Sequence, residues 1–240
     1  LLRELYEKTA AVLESGGANR GLAEERAEEV KARLRQAAAE AGLPDGTEAF
    51  LSGVDHPQYL LAHPIEALVR HLTLFGRREE DPVSSVRPVE SLGYTEVVLL
   101  TRVGTGLCAC VGRLMAAQGI NILSAVLHTR TDGWALDVFH VSSPVGGVVE
   151  QERASRWEDE LRAVLRGDAS FEAVAGSKLR RPPALRRPRP RVPARVRVDN
   201  KASRRFTVID VKAADRLGLL YDVARTLAAR GLTIRLAKIA

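Results

Sequence analysis

The chain has 240 residues, 45% of them hydrophobic and 28% charged. That is enough apolar material for a core in one or two domains, and it excludes a disordered tail or a mini-protein. The formal net charge of +6 invites a nucleic-acid reading until the charge is located along the chain. No apolar run approaches the ~20 residues needed to cross a bilayer, so no membrane partner is expected. The opening LLRELYEKTA is a charged helical pattern rather than a signal peptide, and the expected compartment is the cytoplasm. The chain opens without methionine and Met115 is internal, as in a fragment or a processed chain.

Residues 1–80 read as a helical region. The run from Leu22 to Ala41 is rich in Ala, Glu and Arg, and Gly42 followed by Pro44 is a stop signal. A second helical stretch, HPQYLLAHPIEALVRHLTLF, is interrupted by Pro64, which must start a new helix or kink the old one. His63 and His71 within it read as capping or packing residues. Residues 81–94 have the composition of a connector.

At Thr95 the pattern changes. TEVVLLTRV has the composition of a buried strand, GLCACVGRLMAAQG reads as a helix closing at Gly119, and INILSAVLHTRT and WALDVFHVSS alternate on either side of an Asp132-Gly133 turn. Cys108 and Cys110 sit two apart in that helix, on different faces, which argues against a disulfide or a shared metal. His128 and His140 fall on opposite strands of the hairpin and read as surface or partly packed. A further helix is expected from about Val149 to Arg166. Adding ARVRVDN as a last strand gives the order βαββαβ, the ferredoxin-like arrangement of an antiparallel sheet with two helices on one face.

Between Gly176 and Arg205 there are twelve Lys and Arg against one Asp, a net of +11 that leaves the rest of the chain at −5. Five prolines in the same segment, and no interleaved aromatics, favour an extended, solvated linker over a nucleic-acid surface. Nucleic acid is therefore not the expected partner.

An internal repeat organises the remainder. Shifting the chain by 112 positions lays Gly106–Ala125 over Gly218–Ala237 with nine identities in twenty, among them Gly106/Gly218, Gly119/Gly231 and Ile122/Ile234. A strand precedes each copy. The second copy reaches Ala240 after strand, helix and strand, short of a full unit, so a continuation is expected. Catalytic signatures are missing from the sequence: no phosphate-binding loop, no Gly-x-Ser-x-Gly elbow and no His-Glu-x-x-His. The informative positions are the two strand-to-helix turns, where a glycine permits a sharp bend and helix amides favour a carboxylate.

A β-turn-α core with glycine at the helix start resembles the ACT domain, a module that usually binds amino acids between paired domains. DGWALDVFHV, and VDN followed by TVIDV, GLLY and AKIA, resemble more narrowly the tandem ACT pair of the bifunctional PII uridylyltransferase/uridylyl-removing enzymes. YLLAHPIEALVRHLTLF and LRELYEKTAAVL resemble the helical region of that family. The resemblance implies an α+β chain: a helical region over 1–80, a connector over 81–94, a first ACT domain over 95–200 with an Arg/Pro-rich insertion at about 176–195, and a truncated second ACT domain over 201–240. It implies the regulatory part of an enzyme that attaches and removes uridylyl groups on the PII signalling protein, with glutamine or another small amino acid as effector. The catalytic motifs of that family, and the divalent metal (Mg) they use, are expected outside this chain, which itself calls for no cofactor. Carried over by position, the ligand-binding residues are Val103, Gly104, Thr105, Gly106, Leu107, Asn121 and Ile122 in the first copy. In the second they are Asp215, Arg216, Leu217, Gly218, Leu219, Thr233 and Ile234. The family pattern DRPGL is nearer in the second turn, which keeps Asp215 and Arg216, than in the first, which has Val103 and Thr105. The other function class is an ACT-type interaction module that docks PII, a second copy or RNA without sensing a ligand.

Overall fold

The computed structural model describes residues 19–104, 106–170, 173–174, 193–201, 203 and 206–239. The helical reading of the first eighteen residues and nearly all of the Arg/Pro-rich insertion lie outside them. The helical region consists of α1 (Asn19–Glu40), α2 (Pro44–Ser52), α3 (Pro57–Leu61) and α4 (Ile65–Gly76). The predicted stop after α1 is realised by Gly42 N–H donating to Ala39 and Leu43 N–H donating to Ala38, a pair of bonds that satisfies carbonyls at the helix end. Pro64 starts α4 as its N-cap instead of kinking a longer helix.

The strands and later helices are β1 (Val83–Val89), β2 (Tyr94–Arg102), α5 (Leu107–Ala117), β3 (Asn121–Thr129), β4 (Trp134–Ser142), α6 (Gln151–Arg166), β5 (Arg195–Asp199), β6 (Val208–Lys212), α7 (Leu219–Ala228) and β7 (Leu236–Ile239). They form a five-stranded antiparallel sheet in the order β1-β2-β4-β3-β7 and a separate β5-β6 ribbon. The α+β class with an N-terminal helical region is the one expected from sequence.

The fourth strand of the first unit differs from that expectation. Arg195–Asp199 pairs with β6, and the place beside β2 is taken by β1, out of the stretch that reads as a connector. A local hairpin closed by the short helical turn Glu90–Leu92 and Gly93 costs less chain entropy than recruiting a strand from about a hundred residues away. The 112-residue shift extends to these strands. Val83 faces Leu100 in the first hairpin and Arg195 faces Lys212 in the second, so each repeat opens with a hairpin of the same register.

The two repeats meet about a pseudo-two-fold axis. In the β3-β7 pair Val126 faces Lys238, and these residues are themselves 112 positions apart; Ala125 faces Ile239 and Leu127 faces Ala237 on either side. Helices α5 and α7 pack beside this pair, antiparallel. A Cβ built on Gly112 would lie 3.3 Å from Tyr221 N, and one on Gly218 would lie 3.8 Å from Ala116 Cβ. The absence of a side chain at Gly112 is what lets the helices approach so closely.

Successive residues of β2 point to opposite faces of the sheet, and both faces are covered. Val97 and Leu99 join Val111, Leu114, Met115, Phe139, Trp157 and Leu161 under α5 and α6. Val98 and Leu100 join Leu136 and Val138 against Leu34, Phe50, Tyr59, Leu68, Leu72 and Phe75 of the helical region. The sheet is the middle layer of three.

Polar groups pin the helical region to the sheet. Glu96 on β2 accepts from Arg70 on α4 at 3.1 Å and from Arg87 on β1 at 2.9 Å. Burial would raise its carboxyl, but bonding with His140 and Arg87 and the charges of Arg70 and Arg87 outweigh it and hold the group well below the usual carboxylate range. At the other end of the seam Arg130, with no exposed surface, donates to the Phe50 carbonyl at 2.7 Å and the Ala49 carbonyl at 3.1 Å. It pairs with Asp132 at 2.6 Å and lies over the Phe75 ring at 4.3 Å. A Cβ on Gly53 would sit 2.1 Å from Arg130 Nη2 and 2.8 Å from Asp132 Oδ2. Because the guanidinium is fixed on all sides, Gly53→Ala should destabilise the protein by about 1–3 kcal/mol through overpacking, read as a lower midpoint in urea denaturation.

Candidate functional site

The two strand-to-helix turns end on glycines of matching conformation. Gly106 (φ 77°, ψ 10°) and Gly218 (φ 79°, ψ 8°) are the N-caps of α5 and α7, in the left-handed region that a residue with a Cβ enters only with strain. In each turn the residue after the glycine donates to the carbonyl three positions back, Leu107 to Gly104 and Leu219 to Arg216. Each helix then opens with its amides toward the turn, a setting suited to a carboxylate.

The side chains differ between the turns. The first offers Val103, exposed, and Gly104; Thr105 lies outside the described residues. The second offers Asp215 and Arg216, both exposed, and Leu217. Arg216 bonds Asp222 in the first turn of α7, so an ion pair sits beside that helix start. Charge is concentrated in the second turn.

The second turn lies against the first repeat. Gly218 lies against Ala116, close to the C-terminal end of the helix that leads into Asn121 and Ile122. Asn121 opens β3 opposite Ser142, and the register shifts between Ile122 and Ser124. Thr233 is exposed, while the Ile234 carbonyl accepts from the Thr129 hydroxyl at 2.9 Å. Tyr221 at the helix interface is a residue the sequence reading missed. Its hydroxyl accepts from Arg113 Nη1 at 2.8 Å, and Arg113 and its repeat equivalent Arg225 lie 5.2 and 5.7 Å from the ring. The equivalence of Arg113 and Arg225 in the repeat was the available signal.

Comparison with curated proteins gives a consistent result. The chain is 36% identical over 235 residues to the bifunctional uridylyltransferase/uridylyl-removing enzyme of Rhodospirillum rubrum, covering 95% of the chain and 24% of that protein. It is 34% identical over 245 residues to the enzyme of the same name from Azospirillum brasilense, covering all of the chain and 26% of the relative, and 32% identical over 250 residues to that of Gluconobacter oxydans, covering all of the chain and 25% of the relative. The chain belongs to this family. It spans about a quarter of the length of these relatives, and no family model matches it.

Among the described residues of this uridylyltransferase-family region, both cysteines are poor nucleophiles. Burial pushes the Cys108 thiol up to about 12 and the Cys110 thiol up to about 11, far from a nucleophilic thiolate at neutral pH. Among the described residues no group of three or more His, Cys, Asp or Glu is placed to hold a metal ion, and no helix is long and apolar enough to cross a membrane.

A buried imidazole cluster lies in the seam between the helical region and the sheet. Tyr59 stacks on His128 with centroids 4.8 Å apart, its hydroxyl is 2.7 Å from His71 Nδ1, and His63 meets both Tyr59 and His71 edge-on. His63 and His71 are thus packing residues; the capping histidine is His56, which accepts from Gln58 N–H. His128, which reads from sequence as surface or partly packed, is 1% exposed. Burial lowers His63 and His128 to about 4 and His71 to about 3. Asp137, on the strand paired with His128, is pushed up to about 7 by burial, against a backbone bond from His128 N–H.

These shifts fix the sign of an acid effect. Between about pH 6.5 and 4 the three histidines are charged in the unfolded chain and neutral in the fold, so the unfolded chain holds three more protons. Asp137 opposes this by one, because its folded carboxyl keeps a proton to about 7. Stability should therefore fall as the pH drops from 6.5 toward 4, seen as a lower urea midpoint at pH 5 than at pH 7, and His128→Phe should flatten the profile. Equal midpoints at the two pH values would contradict the assignment.

Proposed function

We propose that this region is the regulatory, glutamine-sensing part of a bifunctional uridylyltransferase/uridylyl-removing enzyme that controls nitrogen assimilation by modifying the PII protein. The two repeats act as ACT-type sensor units. An amino acid binds at their helix-start turns, and the second turn is the stronger site. There the ligand carboxylate meets the first amides of α7, Asp215 faces the ammonium group, and the Asn121–Ile122 strand start of the other repeat closes the site across the pseudo-two-fold. The uridylyltransferase and hydrolase chemistry, with its Mg, belongs to other parts of such an enzyme.

The observation that carries this reading is the pair of matched left-handed glycines, Gly106 and Gly218, starting two helices that pack about one axis. Duplicated binding turns on either side of a shared interface are suited to a small ligand, because occupancy changes how the repeats fit together. That fit biases the enzyme only if the ligand binds one state more tightly than the other.

Calorimetric titration of the protein tests the reading. Glutamine should bind, glutamate and leucine should not, and Gly218→Val should abolish binding while cooperative melting is retained; Gly106→Val should weaken it less. A folded protein that gives no heat with any of these amino acids would remove the sensor reading and leave docking of PII, a second copy or RNA as the better account.

A further inference from the structure

The packing of α7 on α5 is symmetric in backbone and asymmetric in side chains. Under the 112-residue shift Gly112 on α5 matches Ala224 on α7, and Arg113 matches Arg225, so each helix carries a small residue followed by an arginine. Tyr221 on α7, in contrast, matches Ala109 on α5. Arg113 of the first repeat therefore meets a hydroxyl on the second, at 2.8 Å, whereas the methyl of Ala109 has no hydrogen-bonding group to offer Arg225. Instead Arg225 lies 5.7 Å from the centroid of the same Tyr221 ring.

Tyr221 stands in the first turn of α7, where backbone N–H groups have no intrahelical acceptor. Leu219 N–H donates to the Arg216 carbonyl and Asp222 N–H to the Gly218 carbonyl. The N–H groups between them, of Leu220 and Tyr221, are the ones that a carboxylate at the second turn would meet. One residue thus supplies a binding amide and, through its hydroxyl, a bond to the other repeat. Contact through Gly112, where an added Cβ would lie 3.3 Å from Tyr221 N, fixes how close the helices lie but not their rotation. A hydrogen bond from a guanidinium, stronger than one between neutral groups, fixes the rotation as well. Because α5 ends at Ala117 and β3 opens at Asn121, the orientation of α7 on α5 also sets how these amides face the Asn121–Ile122 strand start.

We propose that Tyr221 is a positioning residue of the second-turn amino-acid site: its hydroxyl bond to Arg113 holds the first turn of α7 on the first repeat, so that the Leu220 and Tyr221 amides are set for a carboxylate before the ligand arrives. The proposal rests on the sensor reading above and deepens it. Preorganisation of this kind raises affinity by lowering the ordering cost of binding. It also separates the two turns on grounds independent of Asp215 and Arg216, because the helix of the first turn has Ala109 where that of the second has Tyr221.

Calorimetry with glutamine, paired with urea denaturation, tests this on the wild type, Tyr221→Phe, Arg113→Met and the double variant. Tyr221→Phe keeps the ring and removes only the hydroxyl, so it should unfold at a urea midpoint close to that of the wild type yet bind glutamine about five- to tenfold more weakly. Arg113→Met should weaken binding similarly, and the double variant should bind no more weakly than Arg113→Met alone, because both changes break the same bond. Single variants that are folded and bind within about twofold of wild type overturn the proposal and leave the sensor reading in place. Losses in the single variants that add up in the double variant overturn it too, since they then have separate causes. If Arg113→Met does not unfold cooperatively, Tyr221→Phe decides the matter. No glutamine heat with the folded wild type removes both the proposal and the sensor reading.

Discussion

The central strands of the sheet are apolar on both faces, and the architecture answers that constraint. Val97 and Leu99 on one side of β2 and Val98 and Leu100 on the other each bury into a core of their own, and β4 is buried along nearly its whole length. A sheet covered on one face only would leave a band of valine and leucine in water, at roughly 25 cal/mol for each Å² of apolar surface. Helices α5 and α6 cover one face and the N-terminal helical region covers the other. The helical region and the first repeat therefore share a core.

The second repeat is bound to the first by a different device. Backbone pairing of β3 with β7 and the close contact of α5 with α7 are related by one pseudo-two-fold axis, centred in the sheet on Val126 and Lys238. A symmetric pairing of this kind is self-complementary: each repeat offers the same strand and the same helix to the other. It also sets the second helix-start turn against the first repeat, where Gly218 lies beside Ala116. The symmetry is of backbone, not of chemistry. Asp215 and Arg216 have Val103 and Gly104 as their counterparts, so the two turns share a geometry and differ in charge.

Polar residues concentrate in the seam between the helical region and the sheet. Glu96 with Arg70 and Arg87, Arg130 with Asp132, and the imidazoles of His63, His71 and His128 are partly or fully removed from water there. Ring nitrogens of all three histidines find no hydrogen-bond partner among the described residues. Such groups add less stability than an apolar seam of the same volume, and they make the fit between layers specific. A seam of this composition is suited to holding a defined relation between the helical region and the sheet.

Local signals in the sequence determined the helices of the N-terminal region, the stop at Gly42, the strand-helix-strand-strand order after Thr95, the 112-residue repeat and the glycines that start α5 and α7. Each depends on a few neighbouring residues, on periodicity, turn chemistry and helix stops, or on a comparison of the chain with itself. Family membership was legible for the same reason, since it rests on short strings such as DGWALDVF and AKIA. The tertiary structure alone decided that β1 rather than β5 lies beside β2, that β7 crosses to the first sheet, and that His128 and Arg130 are interior. Those outcomes turn on competition between distant segments for one sheet edge or one buried position. Alternation in β4 was visible in the sequence, but alternation shows only that two faces differ. What covers each face is settled when the helices pack, and the places of Arg130, Tyr221 and the histidines follow from that packing.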